Sequence, residues 1–173
     1  MSLYLVGENI DKSRSHYQAE TGKLIQLMRG IYIDAAADDI EGTILQYAVR
    51  IAKYLYPRTY LSAASAMILG PTSEGKLYIS GPRSQRTRLR NLEIIQNRAP
   101  DFPSIADAVI DDGLSEFNVL VSSIRQRFLE AFRRQSEHSA AIDHSMRILM
   151  AKRVIVYVTV QLYTRISVEK YTT

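Results

Sequence analysis

The chain has no cysteine in 173 residues, which excludes disulfides, thiolate catalysis and cysteine-based zinc sites. Histidine is scarce: His16, His138 and His144 are all there are. The last two lie six positions apart and fall on different sides of a helix, whereas helical metal pairs sit about four apart. No metal and no cofactor is therefore expected. No run of about eighteen apolar residues occurs, so no membrane-spanning helix and no membrane partner is predicted. Residues 1–10 include Glu8 and lack a basic start and a long apolar stretch, so they are not read as a signal peptide. With cysteine absent, a cytoplasmic location is the expectation.

What is present is ordinary for a folded domain. Hydrophobic residues make up 46% and charged residues 23%, close to globular averages. The length fits one domain with a sizeable core, or one domain plus an appendage. The net charge of +4 permits an anionic partner without requiring one.

Residues 22–34 read as a β-hairpin about Arg29 and Gly30, because glycine takes a positive φ without a Cβ clash. Leu24, Gln26 and Met28 are expected on one face of its first strand, Ile25 and Leu27 on the other. A basic hairpin of this kind looks like the wing of a winged helix-turn-helix. Before it, residues 3–6 suit a short strand and 11–20 a loop or a short helix.

Residues 38–55 show the clearest helical period, with Ile40, Ile44, Tyr47, Ala48, Ile51 and Leu55 on one face. Asp38 and Glu41 make a capping box at its start, and Pro57 ends it. A small-residue helix follows over 60–69. Strands are predicted over 76–80, 89–96 and 116–121, with a basic loop over 81–88 and a short helix over 104–110. Ser123 and Gln126 form a second capping box, opening a helix with Ile124, Phe128, Ala131 and Phe132 inward. A last amphipathic helix spans 139–153, and 154–173 is dense in Val, Ile, Thr and Tyr. The mixed order predicts an α+β fold: a small, mostly antiparallel sheet with a wing-like hairpin, packed by three to four helices.

Few motifs carry chemistry. Gly70 to Lys76 nearly spells a P-loop, but Leu77 stands where a magnesium-binding hydroxyl belongs, and a strand follows where a helix should. Carboxylates gather at Asp34, Asp38, Asp39 and Glu41, and at Asp107, Asp111, Asp112 and Glu116. Neither group comes with a nucleophile or base at recognisable spacing, and no catalytic residue is assigned. The basic stretch is stronger: Lys76, Arg83, Arg86, Arg88, Arg90 and Arg98 face only Glu74 and Glu93 nearby. Arg86, Arg88 and Arg90 alternate, so an extended segment projects them to one side. Arginine forks pair well with phosphate. Arg125, Arg127, Arg133 and Arg134 form a second basic group, and Tyr60 and Tyr78 are candidates for stacking. A solvated face, or arginines pairing with the acidic clusters, is the plainer reading of the same residues.

The order of these pieces resembles the AbiEi-type antitoxin family, the regulatory half of abortive-infection and related toxin–antitoxin systems. The matching stretches are KLIQLMRGIYID, DDIEGTILQYAVRIAKYL, YPRTYLSAASAMILG, KLYISG and EFNVLVSSIRQRFLEAF. The same region is similar to the leading segment of some longer HipA-type toxins, where a kinase-like domain comes after it. No Gly-rich loop, catalytic Asp/Asn pair or magnesium-binding Asp follows residue 150. The resemblance therefore implies regulation and partner binding rather than phosphoryl transfer. Two departures stand out. Residues 1–20 are too short for the family's helix-turn-helix, and 154–173 is expected to be foreign to the family, the product of truncation or an altered reading frame.

The expected organisation is an AbiEi-like domain over 1–135, a peripheral helix over 136–153 and a β-prone tail over 154–173. The expected function is a non-catalytic transcriptional-regulator-like module. It binds a toxin protein or kinase-like domain, binds DNA or RNA through Lys23, Arg29, Lys76, Arg83, Arg86, Arg88 and Arg90, and forms a homodimer through its end. Two alternatives stay open: a metal-dependent enzyme acting on nucleotides or nucleic acid through Asp107, Asp111 or Asp112, and an inactive truncated remnant of a larger HipA-like toxin.

Overall fold

The computed structural model describes residues 3–131. The predicted helix over 139–153, the tail over 154–173, and Phe132, Arg133, Arg134, His138 and His144 lie outside the described residues, as do the side chains of Phe128 and Ala131. The architecture is α+β, with five helices and two sheets among the described residues.

Strand β1 (Leu3–Leu5), helix α1 (Lys12–Glu20), and strands β2 (Leu24–Met28) and β3 (Ile31–Asp34) open the chain. Asp11 caps α1 by accepting the amide of Arg14 at 2.8 Å. The strands form an antiparallel sheet of order β1-β3-β2. Gly30 turns the hairpin at φ +83°, and a Cβ there would stand 2.7 Å from the Tyr54 hydroxyl. The predicted facing of β2 needs one correction. The register shifts between Gln26 and Met28, so Met28 pairs with Ile31 while Gln26 pairs with Tyr32. This bulge puts Met28 against the main core with Ile25 and Leu27, rather than beside Gln26.

Helices α2 (Ile40–Gln46) and α3 (Ala48–Leu55) occupy the predicted helix, with a break of one residue at Tyr47. The hydrogen bonds run on through it, from Tyr47 to Thr43 and from Ile51 to Tyr47. The cap is Asp39, not Asp38: its carboxylate accepts the Gly42 amide at 2.8 Å. Gly42 permits that approach, since a Cβ there would collide with the carboxylate. On α3, Ala48, Val49, Ile51 and Ala52 are buried.

The remaining elements are β4 (Tyr60–Leu61), α4 (Ala63–Ile68), β5 (Lys76–Gly81), β6 (Gln85–Leu89), β7 (Leu92–Arg98), β8 (Ile105–Asp111), β9 (Glu116–Ser122) and α5 (Ile124–Ala131). The strands build a mixed sheet of order β6-β7-β5-β4-β9-β8, in which β5 runs parallel to β7 and β4 parallel to β9. The expected single sheet is thus two, with the hairpin in its own. The basic loop is partly strand β6, and the predicted strand over 89–96 is a turn at Arg90 followed by β7. The predicted helix over 104–110 is strand β8, paired along its length with β9. Residues 60 and 61 form β4 because they bridge β5 and β9, which a helix start could not do.

These elements stack in layers. Leu24 and Tyr32 pack with Ala19 of α1 on one face of the small sheet. Leu3, Leu5, Ile31 and Ile33 on the other face join α2–α3 and the inner face of the large sheet in the main core. Tyr78 and Ile95, on the far face of the large sheet, pack against Ala63 and Ala64 of α4. Ser123 caps α5 through the Gln126 amide as predicted, but Ile124 is exposed, while Gln126 and Glu130 are buried.

Candidate nucleic-acid interface

Strand β6 is built by its inward positions. The Gln85 amide donates to Gln96 at 2.7 Å, Thr87 shares a hydrogen bond with Tyr56, and Leu89 is buried. The alternate positions, Arg86 and Arg88, are exposed. Register then sets a carboxylate among cations: Lys76 and Arg88 both stand opposite Glu93. The Arg88 Nε donates to Glu93 at 3.0 Å, and Arg86 lies 4.0 Å from the same oxygen. Lys76 pairs with Glu74 at 2.9 Å, and this hydrogen bond raises its pKa above the ordinary lysine value. Arg83, in the β5–β6 link, and Arg90, at the β6–β7 turn, are exposed and form no ion pair among the described residues. At about 3.3 Å per residue they flank β6 roughly 20 Å apart.

The fold brings together Lys76, Arg86 and Arg88, with Arg83 and Arg90 at the two ends. Lys23 and Arg29 flank the two ends of β2, in the small sheet rather than in the sheet that holds β6. Tyr60 and Tyr78 are buried and offer no stacking surface.

The acidic candidates are dispersed. Asp112 is buried and bound by Arg50 through two hydrogen bonds of 2.6 and 2.9 Å. Burial pushes Asp112 up, but the Arg50 hydrogen bond and the amides of Leu114 and Ser115 outweigh it, and its pKa falls below the ordinary value. The same hydrogen bond raises Arg50, which also lies 4.3 Å from the centre of the Phe117 ring. Asp111 closes a turn by accepting the Gly113 amide. Asp107 stands exposed on β8. No group of three or more His, Asp or Glu side chains that could hold a metal occurs among the described residues. His16 pairs with Glu20 on the exposed face of α1. The near P-loop is a turn, closed by the Gly75 amide on Thr72, that leads into β5.

Three features were not foreseen. Arg58 joins Arg98 beside a groove at the carboxyl ends of β5 and β7. Phe102 is 95% exposed; an aromatic between two prolines in a polar turn was the available signal. Glu130 on α5 is buried, yet its carboxylate accepts the Ala63 amide at 2.8 Å and the Ser122 hydroxyl at 2.9 Å. Burial raises its pKa, against the pull of those hydrogen bonds. The adjacent Arg127 donates to the Ala66 carbonyl, so α5 clamps both ends of α4's first turns.

No protein-family model and no curated protein matches the chain.

Proposed function

We propose that the chain is a non-catalytic regulatory module of the toxin–antitoxin type, which engages a partner toxin and binds nucleic-acid phosphate through the arginines of β6. The observation that carries the second half is the row Arg83, Arg86, Arg88 and Arg90 along one edge strand, offset by a single carboxylate, Glu93, within its register. The resemblance to AbiEi-type antitoxins supports the first half and argues for a cytoplasmic regulator that carries out no reaction of its own. Strand β6 acts by electrostatic positioning: its arginines replace condensed counterions along a phosphate backbone and carry no base readout.

Gel-shift titrations of wild type and Arg86→Ala/Arg88→Ala against DNA and RNA in low and moderate salt test this. On duplex DNA each phosphate contact contributes about −0.9 to the slope of log K against log salt. The double variant is expected to bind more weakly and to flatten that slope by roughly 2. No shift with either nucleic acid leaves only the protein partnership, which co-purification with the product of an adjacent toxin-like gene would test.

A further inference from the structure

Strands β5 and β7 run parallel and end together, Gly81 opposite Arg98. Antiparallel β4 enters beside them, Tyr60 opposite Ser80, and carries Arg58 and Thr59 to the same end of the sheet. The Ala99 amide donates to the Gly81 carbonyl at 2.7 Å and lays the following segment along that end. Between the two stretches lies a groove of about 510 Å³, with Arg58 on one wall and Arg98, Pro100, Asp101 and Pro103 on the other. Carboxyl ends of parallel strands are where open sheets leave room for ligands. Arg58 and Arg98 are exposed, and neither forms an ion pair among the described residues; Asp101, the carboxylate at the groove, pairs with neither. This differs from β6, where Glu93 draws on both Arg86 and Arg88. Phe102 does not itself line the groove; it lies between Asp101 and Pro103, which do, and its ring stands out in solvent as the most exposed large hydrophobic residue described, at 95%. Prolines at 100 and 103 restrict the backbone around it, which lowers the entropy lost when the ring is engaged.

We propose that this groove binds single-stranded nucleic acid, with Arg58 and Arg98 on its phosphates and Phe102 stacked on an unpaired base. Cations tracking a backbone beside an aromatic platform are the working parts of single-strand sites, and stacking needs a base free of its duplex partner. The inference rests on the reading that the chain binds nucleic acid, and adds where and in what form.

Fluorescence anisotropy on the full chain tests it, with labelled oligothymidylate and an oligothymidylate–oligoadenylate duplex as probes. Phe102→Ala is expected to weaken single-strand binding about tenfold and to leave duplex binding unchanged, while Phe102→Trp retains single-strand affinity. Arg58→Ala/Arg98→Ala should flatten the single-strand salt slope by roughly 1.4. Thermal melts confirm folding of each variant. Single-strand binding indifferent to Phe102, or lost only in Arg86→Ala/Arg88→Ala, overturns the groove while leaving the β6 reading intact. That outcome would point to Phe102 as an anchor for a protein. Failure of wild type to bind either probe overturns both.

Discussion

The two edges of the six-stranded sheet differ sharply. Edge strand β6 presents Arg86 and Arg88, with Arg83 and Arg90 at its ends. Edge strand β8 presents Ile105 and Val109, 43% and 58% exposed, alternating with Asp107 and Asp111. Both expose unpaired backbone among the described residues, which is a template for unwanted strand pairing. Charge blunts β6 strongly. On β8 the outward charges are fewer, and apolar side chains stand between them. The difference teaches that edge arginines serve the sheet even without a ligand, so exposure alone does not make them a binding site. The two arginine groups also differ in their partners: Arg86 and Arg88 share Glu93, whereas Arg58 and Arg98 have no carboxylate within ion-pair distance among the described residues, so only variants and their binding tell the two roles apart.

The largest expected effect lies at the β8 end. Arg50 ties α3 to the β8–β9 turn through Asp112 and Ser115. Arg50→Ala strips a buried carboxylate of its partner and should cost about 3 kcal/mol, read from urea denaturation. A loss under about 1 kcal/mol would mean that the hairpin holds without this tie. The pair also sets an acid limit. Asp112 titrates below its unfolded value, so its contribution is complete above about pH 4 and is lost as pH falls through the depressed folded value.

Next comes binding. Arg86→Ala/Arg88→Ala should lower duplex affinity about tenfold in low salt, whereas Asp107→Asn on the opposite edge should leave it within about twofold. A gain in affinity from Asp107→Asn about half as large, on a logarithmic scale, as the loss in the double variant would show that only net charge matters, and would remove the argument for a localised interface.

Glu130 predicts the opposite pH trend from Asp112. Its folded pKa is raised, so the folded state holds the proton more tightly than the unfolded chain. Stability from this group is greatest below the ordinary value of 4.5 and declines as pH rises through the folded value. Glu130→Gln keeps an acceptor for Ala63 and should abolish that decline in melting temperature measured across pH. An unchanged profile would place the cause elsewhere. The smallest effect is expected for Val109→Lys, which should reduce light scattering on storage while changing stability by less than about 0.5 kcal/mol.

Legibility followed burial. The hairpin and helix α3 were readable because Ile31, Ile33, Val49 and Ile51 are buried at positions that match a strand or helix period. Strand β6 reads as loop because its outward arginines and polar Gln85 and Thr87 hide a strand pattern whose inward partners, Gln96 and Tyr56, are distant in sequence. Strand β8 lies where a short helix is expected, although Ile105, Asp107 and Val109 alternate with Ala106, Ala108 and Ile110. Of the candidate site, the sequence showed that the arginines exist and alternate. It did not show that Glu93 falls between Lys76 and Arg88, since three strands must pair before that register exists.

By itself, then, the sequence determined the α+β class, the absence of thiol chemistry, the turn at Gly30 and the cap at Ser123, because each depends on composition or on residues a few positions apart. Only tertiary structure decided that the hairpin forms a separate sheet, that Lys23 and Arg29 fall on a different sheet from the β6 arginines, and that Arg58 and Arg98 line one groove. Those outcomes depend on which strands become neighbours. Neighbours are chosen by burying apolar faces across the whole chain, a sum no local pattern records.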